Sequence, residues 1–309
     1  MAIRLRDIAN KEEKLAPGHR LCAGCAESVV IRQILHAIDD PVVIATATGC
    51  TEVATSMYPN TSWCVPWIHN AFENASTTAS GAEAMYRSLV RQGKIEDKGT
   101  KFLAIGGDGA TYDIGLQFIS GAFERGHKMV YLCLNNEAYM NTGIQRSSAT
   151  PRGAHTTTSP AGKVIPGKLQ WRKPFTRIMA AHDIPYVAQV SPSNWRDLMT
   201  KSQKAFAADG PAFINALAPC PRGWRHDPSL SIEIAKLAVD TCYWPLYEVD
   251  HGEWKLNYKP REKKPVADWL RMQGRFRHLF QPAFEYILDE IQAKVDEEWE
   301  NLLVRCGEK

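Results

Sequence analysis

Four short, almost uninterrupted apolar runs constrain this chain most: Pro41-Val-Val-Ile-Ala-Thr46, Phe102-Leu-Ala-Ile105, Met129-Val-Tyr-Leu-Cys-Leu134 and Ala212-Phe-Ile-Asn-Ala-Leu217. A strand with one wet face alternates polar and apolar residues, whereas a run without polar alternates must be covered on both faces. Helical patterns lie between the runs. Glu27 to Ile38 puts Val30, Ile31, Ile34, Leu35 and Ile38 on one face, and Ala71 to Leu89 is rich in Ala and Ser with an apolar stripe. Strands alternating with helices predict a parallel sheet between two helical layers, a three-layer α/β/α sandwich. The chain has 309 residues, enough for one large α/β domain with extensions. The sandwich is expected in residues 1–227. After Cys220-Pro-Arg-Gly-Trp224 the composition turns aromatic and charged, so 228–309 reads as a C-terminal extension rather than more sheet. It ends in a helix with Phe284, Ile287, Ile291, Val295, Trp299 and Leu302 on one face, a packing surface for this chain or a partner.

Charge is nearly balanced, 37 basic against 34 acidic residues, with no polybasic run suited to nucleic acid or an anionic membrane. No stretch approaches the about 20 apolar residues of a membrane span, and Met1 to Leu15 lacks the apolar core of a signal peptide. A cytoplasmic protein acting on small molecules or protein partners is expected. Its eight cysteines then more readily lie buried or bind metal than form disulfides. Cys133, inside an apolar run, reads as a core residue, as do Cys64, Cys242 and Cys306.

Gly107-Asp-Gly109 follows one predicted strand, and Asn135-Asn136 follow the next. In a parallel sheet both sit at carboxyl ends of strands, where α/β folds bind ligands. The Asp108 carboxylate, the Asn136 amide oxygen and the Ala138 carbonyl are hard ligands suited to a Mg²⁺ that holds a diphosphate, the pattern of a thiamine diphosphate motif. Gly107 and Gly109 leave backbone amides free to face the anion. Cys22-Ala-Gly-Cys25 is compatible with zinc, a redox dithiol or an iron–sulfur cluster. Cys50, in Ala-Thr-Gly-Cys-Thr, and Cys220, in Ala-Pro-Cys-Pro, stand beside turn residues and complete four thiolates for a [4Fe–4S] cluster or a structural Zn²⁺. Spacing does not separate the two. Chemistry favours the cluster, because thiamine diphosphate makes a 2-oxo acid electron-rich and a cluster in the same chain would accept single electrons.

The segments His19-Arg-Leu-Cys-Ala-Gly-Cys25, Ala47-Thr-Gly-Cys-Thr-Glu-Val53, Trp67-Ile-His-Asn-Ala-Phe-Glu-Asn74, Gly107-Asp-Gly-Ala-Thr-Tyr-Asp-Ile-Gly115 and Asn136-Glu-Ala-Tyr-Met-Asn-Thr-Gly143 closely resemble the β subunit of pyruvate:ferredoxin oxidoreductases. Ala216-Leu-Ala-Pro-Cys220, Tyr243-Trp-Pro-Leu-Tyr-Glu-Val249 and Gln273-Gly-Arg-Phe-Arg277 extend the resemblance over nearly the whole chain. It implies a thiamine diphosphate-binding fold and oxidative decarboxylation of a 2-oxo acid, most simply pyruvate with coenzyme A, with electrons passing to ferredoxin. It further implies that Cys22, Cys25, Cys50 and Cys220 hold the [4Fe–4S] cluster and that Asp108, Asn136 and Ala138 hold Mg²⁺. Asn141 would face substrate. Glu27 matches a cofactor-contacting acid, or else is a helix N-terminal charge. His69 and Glu73 are assigned scaffold roles. The glutamate that activates the cofactor is expected from a partner α subunit, and electrons are expected to leave through a ferredoxin-like cluster subunit or domain.

One departure bears on substrate. The pyruvate-type loop reads Thr-Pro-Pro-Gly-Ser-Asp, and this chain reads Thr150-Pro-Arg-Gly-Ala-His155. Arg152 and His155 would favour a more anionic substrate such as oxalate, or would be solvated or bind a partner or coenzyme A phosphates. The alternatives are a non-redox thiamine decarboxylase or ligase with a zinc site, and a non-enzymatic electron-transfer or assembly subunit with a relict cofactor fold.

Overall fold

The structure, a computed structural model, describes residues 3–309. In chain order its first elements are α1 (Leu5–Ala9), α2 (Ala26–His36), β1 (Val42–Ala47), α3 (Cys50–Thr55), β2 (Trp67–Asn70), α4 (Ala75–Arg91), β3 (Lys101–Gly107), α5 (Leu116–Glu124) and β4 (Val130–Asn135). Then follow α6 (Phe175–Ala180), β5 (Tyr186–Val190), α7 (Trp195–Ala207), β6 (Ala212–Leu217), α8 (Pro221–Trp224), α9 (Ser231–Asp240), β7 (Tyr247–Asp250), β8 (Glu253–Leu256), α10 (Val266–Arg271) and α11 (Tyr286–Arg305). The strands form one eight-stranded sheet in the order β2-β1-β3-β4-β6-β5-β7-β8. The six from β2 to β5 run parallel, and β7 and β8 are antiparallel. The expected three-layer α/β/α sandwich is the fold.

The central strands explain why. In β4, Val130, Leu132 and Leu134 enter the core beneath α2 and α7, while Tyr131 and Cys133 enter the core beneath α4, α5 and α6. Both faces are dry, so neither alternate can be polar. Cys133 is a fully buried core residue, as expected. The predicted apolar face of α2 is buried in full. On the opposite face of the sheet, α4 packs through Ala75, Ser76, Ala79 and Ser80, small residues that let helix and sheet approach closely.

Beyond residue 227 the expectation of no further sheet is corrected. Tyr247–Asp250 pairs with β5, and Glu253–Leu256 pairs with it in turn. The turn His251-Gly252 joins them, with both residues at positive φ. Alternation of Tyr247 and Val249 with charged residues marks an edge hairpin that needs only one dry face, a weaker signal than the central runs. The segment then turns helical, and the apolar stripe of α11 is buried against the same core as α4 and α5. Each such large side chain contributes about 1.5–3 kcal/mol on burial.

Register sets the site. Gly107 lies opposite Leu134, and Asn135 lies opposite Leu217, so β3, β4 and β6 end level with one another. Asp108, Asn136 and the Ala218–Cys220 loop therefore emerge side by side at the carboxyl edge, with the Thr48–Cys50 loop beyond β1 alongside.

Candidate functional site: a cavity at the carboxyl edge and four converging cysteines

A cavity of about 290 Å³ opens at this edge, walled by the loops after β1, β3 and β4 and floored by Ile105 and Leu134. Its lining includes Glu27, Gly107, Gly109, Asn136, Ala138 and Asn141, together with Cys50. Behind Gly107, Asp108 is completely buried. Its Oδ2 accepts a 2.5 Å hydrogen bond from Ser147 Oγ, and its Oδ1 has no partner. Burial pushes the Asp108 carboxyl up to about 8, partly offset by the Ser147 bond. An unpaired, dry carboxylate oxygen is costly unless a cation meets it. Gly109 permits the close packing here, since a Cβ would fall 2.3 Å from the Tyr139 ring.

Asn136 is oriented on both sides. Its Nδ2 donates to Glu27 Oε1 at 2.9 Å, and its Oδ1 accepts from the Ala138 amide at 3.3 Å. Because the amide nitrogen is committed to Glu27, the oxygen is the atom left to face a cation. Glu27, in the first turn of α2, also accepts from Thr51 Oγ1 at 2.6 Å. It is fully buried, and desolvation raises its pKa. A plain helix N-terminal charge would sit in solvent, so of the two expected roles the geometry fits an acid of the cavity wall.

Between the two candidate ligands, Glu137 adopts φ +66°. For a residue with a Cβ this left-handed conformation costs about 1–2 kcal/mol, so neighbouring bonds must hold it. They include Thr150 Oγ1 donating to the Glu137 carbonyl at 2.7 Å and Trp224 Nε1 donating to the Asn136 carbonyl at 2.7 Å. The long loop from Asn141 to Lys168 is thus wrapped around the site. Lys168 Nζ, buried, donates to the carbonyls of Ser147 and Thr150 at 3.1 and 2.5 Å. Burial lowers its ammonium to about 8.

The four cysteines come together from three separate loops. Cys25 immediately precedes α2, Cys50 opens α3, Cys220 immediately precedes α8, and Cys22 joins them by a tight turn in which its carbonyl accepts from the Cys25 amide at 3.0 Å. Cys22 is exposed and the other three are half-buried. Burial raises all three of these thiols, Cys220 to about 11, and Glu27 and the neighbouring thiols raise them further. A Cβ on Gly24, which has φ +73°, would fall 2.3 Å from the Pro228 carbonyl, so the Cys-Ala-Gly-Cys turn needs glycine there. Among the described residues no three His, Cys, Asp or Glu side chains converge tightly enough for a single metal ion. Asn141 is exposed and lines the cavity together with Cys50.

Arg152 and His155 lie elsewhere. Arg152 pairs with Glu290 of α11 through Nη2 at 2.6 Å, bonds the Leu169 carbonyl and stacks on Trp171. His155 Nδ1 accepts from the Ala161 amide at 3.0 Å, and burial with Arg225 and His278 lowers its pKa. Neither lines the cavity. His69 bonds Thr48 Oγ1 at 2.9 Å and faces Glu52, a supporting position beside the cavity wall. Sequence reasoning assigned nothing to Ser147, Thr51, Glu137 or Lys168. Glu137, flanked by two candidate ligands, carried a usable signal.

Residues 47–216 match the family described as thiamine pyrophosphate enzyme, C-terminal TPP binding domain. Over 98% of its length the chain is 49% identical to pyruvate synthase subunit PorB of Thermotoga maritima, covering 96% of that protein. It is 53% identical to PorB of Methanocaldococcus jannaschii, with 92% of this chain and 96% of the relative covered. Ketoisovalerate oxidoreductase subunit VorB of Pyrococcus abyssi is 41% identical, with 94% and 93% covered. In fold, the chain is similar to a 2-oxoglutarate:ferredoxin oxidoreductase from Magnetococcus marinus, with TM-score 0.54, 19% identity, and 74% of this chain and 81% of that chain covered. Among the described residues no helix is long and apolar enough to cross a membrane. The family match and 41–53% identity over nearly the whole chain place it in the thiamine pyrophosphate enzyme family, as a 2-oxoacid:ferredoxin oxidoreductase subunit of the pyruvate synthase type.

Proposed function

We propose that this subunit binds thiamine diphosphate through Mg²⁺ in the cavity, holds a [4Fe–4S] cluster on Cys22, Cys25, Cys50 and Cys220, and with its partners converts pyruvate and coenzyme A to acetyl-CoA and CO2 while reducing ferredoxin. The observation that carries the reading is Asp108 Oδ1, buried beside the cavity with no partner. Asp108, the Asn136 amide oxygen and the Ala138 carbonyl would hold the cation, and Gly107 and Gly109 leave room for the diphosphate. Ser147 fixes the Asp108 carboxylate, and Glu27 fixes the Asn136 amide. When bound, thiamine diphosphate supplies the electron sink that allows a 2-oxo acid to lose CO2.

Asn141, in the cavity lining, would orient the substrate, and it shares that lining with Cys50. Four thiolates next to buried Glu27 concentrate negative charge, which the iron atoms of a cluster offset. The glutamate that activates the cofactor would come from the α subunit, and a ferredoxin-like cluster subunit or domain would pass electrons to ferredoxin. The PorB relatives support pyruvate, and the VorB relative supports a branched 2-oxo acid as the competing substrate. With Arg152 neutralised by Glu290, no extra cation favours oxalate.

The test is to purify the complex anaerobically, measure metal and acid-extractable thiamine diphosphate, and assay pyruvate, oxalate and branched 2-oxo acids with and without coenzyme A. We expect about four irons on this subunit, retained thiamine diphosphate and fastest turnover of pyruvate with coenzyme A. Zinc in place of iron sinks the cluster, absent thiamine diphosphate sinks the cofactor, and faster turnover of a branched acid replaces pyruvate.

A further inference from the structure

The C-terminal region reaches back to the turn that carries two of the candidate Mg²⁺ ligands. Arg275, in the helical turn Gly274–Phe280, is almost wholly buried, and its Nη2 donates to Glu137 Oε2 at 2.5 Å. Tyr243 OH donates to the other carboxylate oxygen at 2.9 Å, and Arg172 Nη1 stands 3.7 Å from it. Gln273 Oε1 accepts from Arg275 Nε and Nη2 at 2.9 and 2.7 Å, which fixes the plane of the guanidinium. The same guanidinium lies 4.1 Å from the ring centre of Trp224, and the Trp224 indole N–H holds the Asn136 carbonyl. One stacked pair therefore grips both the side chain of Glu137 and the backbone of the residue before it.

A buried ion pair is a poor source of net stability, because desolvation cancels most of its attraction. Its use here is geometric. Glu137 sits at φ +66°, and that conformation aims its side chain away from the cavity and leaves Asn136 and Ala138 on the cavity side. We propose that Arg275 is a positioning residue that, through Glu137 and Trp224, sets the Asn136–Ala138 turn in the shape that binds the Mg²⁺–diphosphate. The C-terminal segment is thus part of the cofactor site without touching the cofactor. The inference rests on the cofactor reading above.

The experiment is a titration of the cofactor-depleted complex with thiamine diphosphate at saturating Mg²⁺, followed by calorimetry, for the wild type, Arg275→Lys, Glu137→Gln and Tyr243→Phe, alongside thermal melts of the depleted complexes. Loss of a supporting contact of this kind weakens metal-site affinity by about 10–100-fold. We expect Arg275→Lys to raise the Kd by that factor, Glu137→Gln and Tyr243→Phe to raise it less, and depleted melting temperatures to stay near the wild type. Turnover of Arg275→Lys should return at saturating cofactor, since the residue never meets substrate. An unchanged Kd overturns the proposal. So does a Kd increase that only accompanies a large fall in the depleted melting temperature for all three variants, because that is the mark of a purely structural pair. Absence of wild-type binding overturns the cofactor reading and the positioning role together, whereas wild-type binding with an unchanged Arg275→Lys Kd overturns the positioning role alone.

Discussion

The Asp108 pocket and the cysteine quartet meet at one wall of the cavity but are built in opposite ways. Around Asp108 almost every polar atom is dry and bonded: Ser147 to the carboxylate, Glu27 to Asn136, Lys168 to the loop carbonyls, Arg275 to Glu137. One oxygen, Asp108 Oδ1, is left over. The quartet is half-exposed, drawn from three loops, and stiffened mainly by backbone turns, with the Gly223 amide reaching Cys220 Sγ at 3.4 Å. A pocket so closely bonded, with a carboxylate oxygen left over, is preformed and, under the proposed reading, suited to a point charge. Four thiols held on loops, three of them raised by burial and further by Glu27 and one another, would take their final shape from what they bind. The first site should therefore respond to substitution in graded steps, and the second all at once.

The largest effect tests the second half of that contrast. Cys220→Ala is expected to lower iron on this subunit from about four to below about one and to abolish ferredoxin reduction, while thiamine diphosphate stays bound. Simultaneous loss of the thiamine cofactor would show that the sites are not separable. Next, Asp108→Asn preserves shape and removes the charge that a cation would meet. Affinity for Mg²⁺–thiamine diphosphate should fall by about a hundredfold or more in a titration, with iron content unchanged; an affinity equal to wild type would remove Asp108 from the cation site. Ser147→Ala leaves the carboxylate but frees its orientation, and a charge-assisted hydrogen bond of about 1.5–3 kcal/mol predicts roughly a tenfold or larger loss of cofactor affinity. If Ser147→Ala matched Asp108→Asn, the graded picture would be wrong.

The smallest effect is in pH. Lys168 has its ammonium lowered from 10.5 to about 8 by burial, so between those values the unfolded chain holds more proton on it than the folded one. Stability contributed by this group rises with pH through that window, and the cost of the buried charge is in full force below it. In urea titrations on either side of about pH 9, the stability difference between the wild type and Lys168→Met should move in favour of the wild type by about 1–3 kcal/mol as pH rises. A difference that stays flat or moves the other way would mean that the carbonyls of Ser147 and Thr150 solvate the ammonium as well as water does.

Legibility followed the strength of the local pattern. The four apolar runs became β1, β3, β4 and β6 to within a residue or two, because strands covered on both faces are almost wholly apolar, buried Asn215 of β6 being bonded to Tyr112 and Thr176. The strands Trp67–Asn70, Tyr186–Val190, Tyr247–Asp250 and Glu253–Leu256 were not legible: three are edge or hairpin strands, and Tyr186–Val190 carries Gln189, which bonds Thr176 and the Pro245 carbonyl. At the site, Asp108, Asn136 and the cysteines could be picked out because their chemistry needs those residue types at strand ends. Ser147 and Lys168 could not, since their roles arise from a long loop folding back on itself, whereas Glu137 was flagged only by its place between Asn136 and Ala138. Arg275 stood in a segment already singled out, Gln273-Gly-Arg-Phe-Arg277, but nothing in one dimension says that a residue so far along the chain touches Glu137. Arg152 shows the converse: an unusual charge near the site in sequence, used by the fold to tie the loop to α11.

Cys50 is counted twice in this architecture, once in the wall of the cavity and once in the quartet. Under the proposed reading, recutting the cavity at Thr48, Gly49 or Thr51 would also disturb a cluster ligand, so specificity and redox poise would not be separate traits on the β1–α3 loop. On that reading, a new substrate without a new potential would be sought at Phe72 or Tyr139, whose rings pack together, and not at Met140, which lies against Gly223 beside Cys220.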